Sequence, residues 1–202
     1  MDRLRFEHWY RPECKVLIRV LPVSQLDIIS GEPAHGYQVT GTEISPTVLR
    51  AAGDETIIND ITSLFVESAV DVTGATESFT ATLRVKKPSE LAYLNSTNVN
   101  VTVTVEPVII SSSLPSVKVR ARGAASGQSV SLDTSTLSAI VTGPQLTVES
   151  LRPSDVTAYV DVSGLAAGEY ILPVQFHAED QDVSALSFQA TPSTIVVTIH
   201  EH

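Results

Sequence analysis

A stretch of 22 residues occurs twice in this chain, 90 positions apart, and the two copies align without a gap. Residues 53–74 and residues 143–164 both begin and end with glycine. Three valines of the first copy coincide with three of the second: Val66, Val70 and Val72 with Val156, Val160 and Val162. A long internal repeat of this kind indicates one domain that was built twice.

Length and composition agree with two β domains. The 202 residues suit two domains of about 100 residues each. Val, Thr and Ser are abundant and aromatic residues make up only 5%, which is typical of strands with small, branched core residues. We predict an all-β fold, with a leader at residues 1–14, a first domain at residues 15–106 and a second at residues 107–202.

Alternating apolar and polar residues predict the strands. Residues 15–21 form the first strand, which places Val16, Ile18 and Val20 on one face and Lys15 and Arg19 on the other. Its predicted counterpart is residues 116–122, 101 positions later. There the inward side chains are Val117, Val119 and Ala121, and the outward ones are Lys118, Arg120 and Arg122. Residues 79–85 and residues 170–176 are predicted as another pair of corresponding strands.

One short helix is predicted in each copy. Asp54 is suited to capping a helical turn, and Pro144 is suited to a first helical position. Apolar residues at helical spacing follow both of them. Further along, the tetrapeptides that start at Asp71 and Asp161 have Asp first and Gly fourth, which is the preference of a type I turn.

Net charge excludes some classes of partner. The chain carries 13 basic and 23 acidic residues, for a net charge of −10. This charge disfavours nucleic acid and disfavours an anionic membrane surface. We interpret it as favouring solubility rather than forming an acidic recognition surface. Cys14 is the only cysteine, so the chain has no internal disulfide framework.

Nothing in the sequence predicts a membrane span or a signal peptide. No run of 18 apolar residues occurs, and the first residues have no apolar signal core. We expect either a cytosolic protein or a soluble fragment of a membrane-anchored protein from which the anchor has been cut away.

A few acidic and histidine residues are candidate ligands. Asp71 and Asp161 stand at equivalent positions and are either a repeated ligand site or turn formers, and we favour turns. Residues 179–182 (Glu-Asp-Gln-Asp) could offer oxygen ligands to Ca²⁺, although a solvated loop is the favoured interpretation. His200 and His202 could bind a metal at a strand end, but no third ligand is near in sequence. We therefore predict no metal site and no cofactor.

Catalytic chemistry has no support. No Ser or Cys stands beside a His in a motif, so nucleophilic catalysis is not predicted. Cys14 is next to Lys15, where a packing role is favoured over a reactive thiol. Residues 123–127 do not fit a phosphate-binding loop. Asn95 and Asn100 begin glycosylation-like sequences. The aromatic cluster Phe6, Trp9 and Tyr10 either binds a partner or packs on the first domain.

The order of motifs resembles the YbbR-like domain family. In the second copy the resemblance is carried by Gly143-Pro144, by residues 158–164 (Ala-Tyr-Val-Asp-Val-Ser-Gly) and by residues 191–199, which begin Thr-Pro-Ser-Thr. The first copy has weaker versions at the same spacing and no proline after Gly53. The resemblance covers roughly residues 15–200.

The resemblance implies crossing, half-barrel β sheets, outside the cytoplasmic membrane, on a membrane-anchored bacterial protein. It implies that the partner is a membrane diadenylate cyclase whose cyclic di-AMP synthesis is regulated, and that the domain itself has no catalytic residues. The family's usual N-terminal transmembrane helix is missing from this sequence, so any membrane attachment would require an anchor outside it. The alternative hypothesis is a structural or adhesive envelope module that binds wall polymer. An enzyme is not predicted.

Overall fold

The structure, a computed structural model, describes residues 15–178 and 185–201. The chain divides into two compact units, residues 1–106 and residues 107–202, which we term domain 1 and domain 2. The predicted leader at residues 1–14 lies outside the described residues.

Domain 1 is built from three small sheets and one helix, α1 (Glu55–Asp60). An antiparallel sheet has the order β1-β4-β8, a second sheet has the order β3-β9-β7-β5, and β2 pairs with β6 in parallel. Its strands are β1 (Val16–Pro22), β2 (Ile29–Ser30), β3 (Tyr37–Ser45), β4 (Val48–Asp54), β5 (Phe65–Val66), β6 (Val70–Asp71), β7 (Phe79–Lys86), β8 (Leu91–Leu94) and β9 (Asn98–Pro107).

In domain 2 the corresponding strands form two sheets, and the helix of this domain is α2 (Gln145–Ser150). The larger sheet has the order β15-β13-β10-β12-β16 and the smaller one the order β11-β17-β14. Its strands are β10 (Ile109–Arg122), β11 (Gln128–Leu132), β12 (Thr136–Pro144), β13 (Val156–Asp161), β14 (Gly168–Pro173), β15 (Gln175–Ala178), β16 (Ser187–Thr191) and β17 (Thr194–Glu201).

The predicted fold class is therefore confirmed: an all-β chain of half-barrel sheets with one short helix in each copy. Asp54 caps α1, since its carboxylate accepts the Thr56 N–H at 3.0 Å. Pro144 precedes α2 as the capping residue, one position before the predicted place, and makes no side-chain capping bond. No helix in the described part of the chain is long and apolar enough to cross a membrane.

The predicted counterpart of β1 was wrong. Val16 pairs with Asp54, and the residue that pairs with Pro144 in the same manner is Ile109. The true offset of this strand is thus 93 rather than 101 positions. In domain 2 the strand runs on as β10 past an irregularity at Ser116, whose φ is +62°, and its second half corresponds to β2 instead.

The single strand predicted at residues 170–176 is two strands. β14 ends at Pro173, which pairs with Thr194, and β15 then joins the other sheet beside β13. Proline has no N–H to donate, so it limits the continuation of a ladder.

Each domain closes its own apolar interior. In domain 1 the fully covered side chains include Leu49, Ile58 and Val101, and in domain 2 they include Val160 and Val197. Within the described residues neither interior holds a buried polar or charged residue. Cohesion in the interiors therefore comes from apolar burial and close packing.

The two predicted faces of β1 are present, and the face with the branched apolar residues is the outer one. Val16, Ile18 and Val20 are exposed, at 67%, 69% and 56%, while Leu21 is buried. Arg19 points the other way, because its guanidinium donates to the carbonyl of Ile58 at 2.9 Å. A cation that satisfies carbonyls near a helix C-terminus is a common stabilising arrangement. In β10, by contrast, Lys118, Arg120 and Arg122 are exposed as predicted.

The neighbouring residues Ile57 and Ile58 provide a matched test of this core. Ile58 is fully buried and Ile57 is 39% exposed. We expect Ile58→Ala to lower the free energy of unfolding of domain 1 by about 2–5 kcal/mol, and Ile57→Ala by less than about 1 kcal/mol. Amide hydrogen exchange should accelerate in domain 1 and stay unchanged in domain 2. Equal effects of both substitutions would contradict the assignment of the core.

Candidate functional site

The most conspicuous repeated polar feature lies where a parallel strand pair ends. In domain 1, Ser30 pairs with Asp71 and is followed by Gly31. In domain 2, Arg122 pairs with Asp161 and a glycine again follows. The repeated Asp-Val-Thr/Ser-Gly sequence thus faces a glycine in both domains.

Asp71 organises the turn in domain 1. Its Oδ1 accepts the Thr73 N–H at 2.9 Å and the Thr73 hydroxyl at 2.5 Å. Both bonds lower the pKa of Asp71 below its ordinary value of 3.8, and the bond from the Thr73 hydroxyl has the larger effect. Burial opposes this only weakly, because the carboxylate is exposed.

Asp161 repeats the arrangement in domain 2. Its Oδ1 accepts the Ser163 N–H at 2.9 Å. The side chain of Ser163 is the main cause of the lowered pKa of Asp161, the backbone of Ser163 is the next, and the positive charge of Arg122 adds a smaller contribution. The two aspartates therefore play one role in both domains.

The facing glycine is required by space and by backbone conformation. Gly31 has φ +81°, and a Cβ atom built there would lie 2.1 Å from Thr73 Oγ1. At Gly123, with φ +85°, the distance to Ser163 Oγ would be 2.0 Å. These two glycines belong to the motif, although the sequence pattern does not reveal them, because they lie about 40 residues before their aspartates.

The β-turn begins one residue later than predicted. Its closing bond runs from the Ala75 N–H to the Val72 carbonyl, and Gly74 has φ +71° at the third position. Val72 is 1% exposed and belongs to the core rather than to the exposed part of the turn. A positive φ at the third position of a turn favours glycine.

The geometry supports the turn interpretation of Asp71 and Asp161 over the ligand interpretation. Each carboxylate has an oxygen engaged by its own turn. Among residues 15–178 and 185–201, no group of three His, Cys, Asp or Glu is arranged to hold a metal ion. The arrangement fixes the end of a parallel strand pair.

Other candidate residues are spread over the surface. Asn95 Oδ1 accepts the Arg50 N–H at 2.8 Å, and Asn100 Oδ1 accepts the Thr82 hydroxyl at 2.9 Å. His200 lies on β17 opposite Ser129. The loop at residues 123–127 is closed by Gln128, whose side chain accepts the Ala125 N–H.

Several candidates lie outside the described residues: Phe6, Trp9, Tyr10, Cys14, residues 179–182 and His202.

An exposed apolar surface on domain 1 went unrecognised in the sequence. Ile18 pairs with Ala52, which pairs in turn with Tyr93, so the three form one row across β1, β4 and β8. Val16 and Val20 flank Ile18 on the same face, and Tyr93 is 57% exposed. We name the four exposed residues, Val16, Ile18, Val20 and Tyr93, the apolar row, since Ala52 between them is only 9% exposed. The sequence does not reveal this surface, because both faces of β1 carry apolar residues and either face could have been the inner one.

The corresponding face of domain 2 is more polar. Ser111 and Ser113 stand where domain 1 has Ile18 and Val20, as the offset of 93 residues requires. The Ser111 hydroxyl lies 2.7 Å from that of Thr142 on the neighbouring strand. The difference is confined to these two positions, because Ile109, the equivalent of Val16, is also exposed, at 59%.

Two glycines of domain 1 separate steric from backbone effects. Gly74 and Gly31 both have positive φ, but a Cβ at Gly74 would have nothing within 4 Å. We expect Gly74→Ala to cost about 1–2 kcal/mol of stability, from backbone conformation alone. Gly31→Ala should cost about 2–5 kcal/mol, because it also collides with Thr73. Urea denaturation measures both, and an equal loss would argue against the close approach.

The lowered pKa of Asp71 predicts a specific acid sensitivity. A carboxylate with a depressed folded-state pKa stabilises the protein above its ordinary pKa, and this contribution is lost as the pH falls through the folded-state value. Asp71→Asn keeps an oxygen acceptor and removes the titration. We expect the wild-type urea midpoint to fall more steeply than that of Asp71→Asn below about pH 4. Parallel curves would contradict the stabilising role of the ionised form.

Comparison with known proteins identifies the family. The model of the YbbR-like protein family matches residues 21–105 and again residues 116–199. No curated protein matches the chain. Three solved structures are similar. A YbbR-like domain from Listeria monocytogenes has 22% identity over 46% of this chain and 94% of its own, with a TM-score of 0.40.

The other two structures are more distant in sequence. A YbbR family protein from Desulfitobacterium hafniense has 19% identity over 46% of this chain and 98% of its own, with a TM-score of 0.33. A YbbR-like protein from Streptococcus pneumoniae has 12% identity over 93% of this chain and 97% of its own, with a TM-score of 0.31. Because the family model covers most of the sequence in two successive matches, the chain belongs to the YbbR-like protein family and contains two tandem copies of its domain.

Proposed function

We propose that the chain is a non-catalytic interaction module, outside the cytoplasmic membrane, of a membrane-anchored bacterial protein that regulates a membrane diadenylate cyclase. The proposal combines family membership with the resemblance on which the sequence analysis drew. The anchor would belong to sequence outside this chain.

The observation that carries an interaction role is the apolar row of domain 1. Ile18 and Val16 are the most exposed of its members, at 69% and 67%. They are branched side chains on a regular antiparallel strand, so their positions are fixed before any partner arrives. Contiguous exposed apolar surface is typical of sites that bind another protein. A preorganised surface also loses little conformational entropy on binding.

The internal comparison strengthens this support. A requirement of the fold would apply to both domains, yet domain 2 keeps the same strand with Ser111 and Ser113 at the equivalent places. Ile18 and Val20 are therefore not needed to form β1. A role in binding explains why surface positions that tolerate serine carry isoleucine and valine.

Co-purification tests the proposed partner directly. We expect the full-length protein to co-purify with the membrane diadenylate cyclase of its own organism, and its deletion to change cyclic di-AMP levels. Unchanged cyclic di-AMP together with no co-purification would overturn the regulatory proposal. Retention of the purified chain on peptidoglycan in that case would favour the wall-binding alternative.

Substitutions in the apolar row test the surface. Ile18→Ser with Val20→Ser gives domain 1 the residues that domain 2 already has. We expect the pair to weaken co-purification about tenfold or more, since loss of central apolar contacts typically costs about 1–2 kcal/mol in binding. Ile171→Ser is the control, because Ile171 is 72% exposed on domain 2. Equal weakening by the control, or none by the pair, would place the interface elsewhere.

A further inference from the structure

A row of three basic side chains runs along the outer face of domain 2. Lys118, Arg120 and Arg122 alternate with the inward residues of β10 and are all exposed. We name these three residues the basic strip. Alternate residues of a strand lie about 6.6–6.8 Å apart, so the strip presents three positive charges over about 13 Å.

Neighbouring strands supply a floor for a ligand beside the strip. Thr157 and Tyr159 on β13 lie opposite Lys118 and Arg120, and His177 on β15 lies opposite Thr157. The Arg122 guanidinium carbon lies 5.6 Å from the centroid of the Tyr159 ring. Residues from all three strands line a cleft of about 390 Å³: Arg120, Ala121, Arg122, Thr157, Tyr159 and His177.

The strip continues into a second cleft toward the start of β13. This cleft, of about 260 Å³, shares Arg120 and Thr157 with the first. Its remaining lining residues are Ser116, Lys118, Pro153, Ser154 and Val156. The two clefts therefore adjoin at Arg120 and Thr157, and a ligand that extends over both would contact all three basic residues.

Two acids of the described residues beside β13 are engaged in their own turns. Asp161 lies opposite Arg122 and bonds to Ser163. Asp155 Oδ2 accepts the Arg152 N–H at 3.0 Å. Among the described residues, no ion pair engages Lys118 or Arg120. Two of the three positive charges thus face a threonine and a tyrosine rather than a carboxylate.

The strip belongs to domain 2 alone. On domain 1 the residues equivalent to Arg122, Thr157 and Tyr159 are Ser30, Glu67 and Ala69. The chain as a whole has a net charge of −10 and only 13 basic residues. The fold does not require a concentration of three of them on one strand of one copy.

We propose that the basic strip docks an extended acidic segment of a partner protein. Carboxylates on alternate residues of an extended peptide have the same spacing as the strip, and arginine presents paired donors that match a carboxylate. Arginine and tyrosine are enriched where protein interfaces bind most strongly. A dense polyanion fits less well, because the net negative charge of the chain repels it more strongly than it repels a segment with a few carboxylates. The surface is distinct from the apolar row, and the inference does not depend on the cyclase.

Fluorescence anisotropy with a synthetic peptide tests the proposal on the whole purified chain. The probe is a labelled peptide of about eight residues that alternates Glu and Thr, and the matched probe replaces each Glu with Gln. We expect saturable binding of the Glu peptide only, weakened strongly as salt approaches 1 M, where the Debye length is about 3 Å. No binding of the Glu peptide, or equal binding of the Gln peptide, would overturn the proposal.

Two double variants that remove the same charge from different strands locate the site. Lys118→Gln with Arg120→Gln should weaken binding about tenfold, whereas Lys118→Arg with Arg120→Lys should retain it. The control is Arg84→Gln with Lys86→Gln, which removes two exposed alternating charges from β7 of domain 1 and should change binding less than about twofold. An equal loss in both double variants would show a response to net charge alone and would overturn the site.

Two competing occupants give opposite results in the same assay. Short polyphosphate that binds the strip while the Glu peptide does not would show a polyanion site instead. The chain's own acids at Glu179, Asp180 and Asp182 follow β15 directly in sequence. If neutralising these three residues tightened peptide binding tenfold or more, they would be the natural occupant and the partner proposal would fail.

Discussion

The burial of every second side chain on strands that cover one face is the constraint on which both domains depend. Val101 and Val103 are fully covered on β9, as are Val197 and Ile199 on the corresponding β17. This alternation fixes which residues must remain apolar, and it leaves the other set free. The two copies accordingly share their interiors and differ on their outer faces. On its first strand, domain 1 exposes Ile18 and Val20 where domain 2 has serines, and only domain 2 carries the basic strip.

A second shared element fixes how the strands meet. The carboxylates of Asp71 and Asp161 tie their own turns, and the glycines at positions 31 and 123 let the opposite strand approach the Thr or Ser of those turns. A side chain on either glycine would separate the parallel pair. The best preserved polar motif of the repeat therefore maintains architecture, and recognition is left to surfaces that the repeat does not preserve.

Much of the fold could be predicted from the sequence, because the duplicated spacing and the alternation of Val and Thr admit few other structures. The first strand could not be placed correctly. Residues 16–21 are apolar on both faces except for Arg19, and only the carbonyl of Ile58 shows why the arginine faces toward the helix. The predicted offset of 101 positions was wrong because β10 is one continuous strand that corresponds to two separate strands, β1 and β2, of domain 1. Of the surfaces, the outward basic residues of β10 were predictable, whereas their cleft required the pairing of three strands.

The continuous path of β10 bears on how a duplicated chain avoids pairing with itself. Tandem copies of one fold can exchange equivalent strands while they fold, and the misassembled product is a known failure of repeat proteins. Here β10 and β13 pair over five residues, from Lys118 with Thr157 to Arg122 with Asp161, whereas β2 and β6 pair over only two. A β13 that was matched with β2 would lose more than half of its ladder. The unequal lengths of equivalent strands thus discourage exchange between the copies.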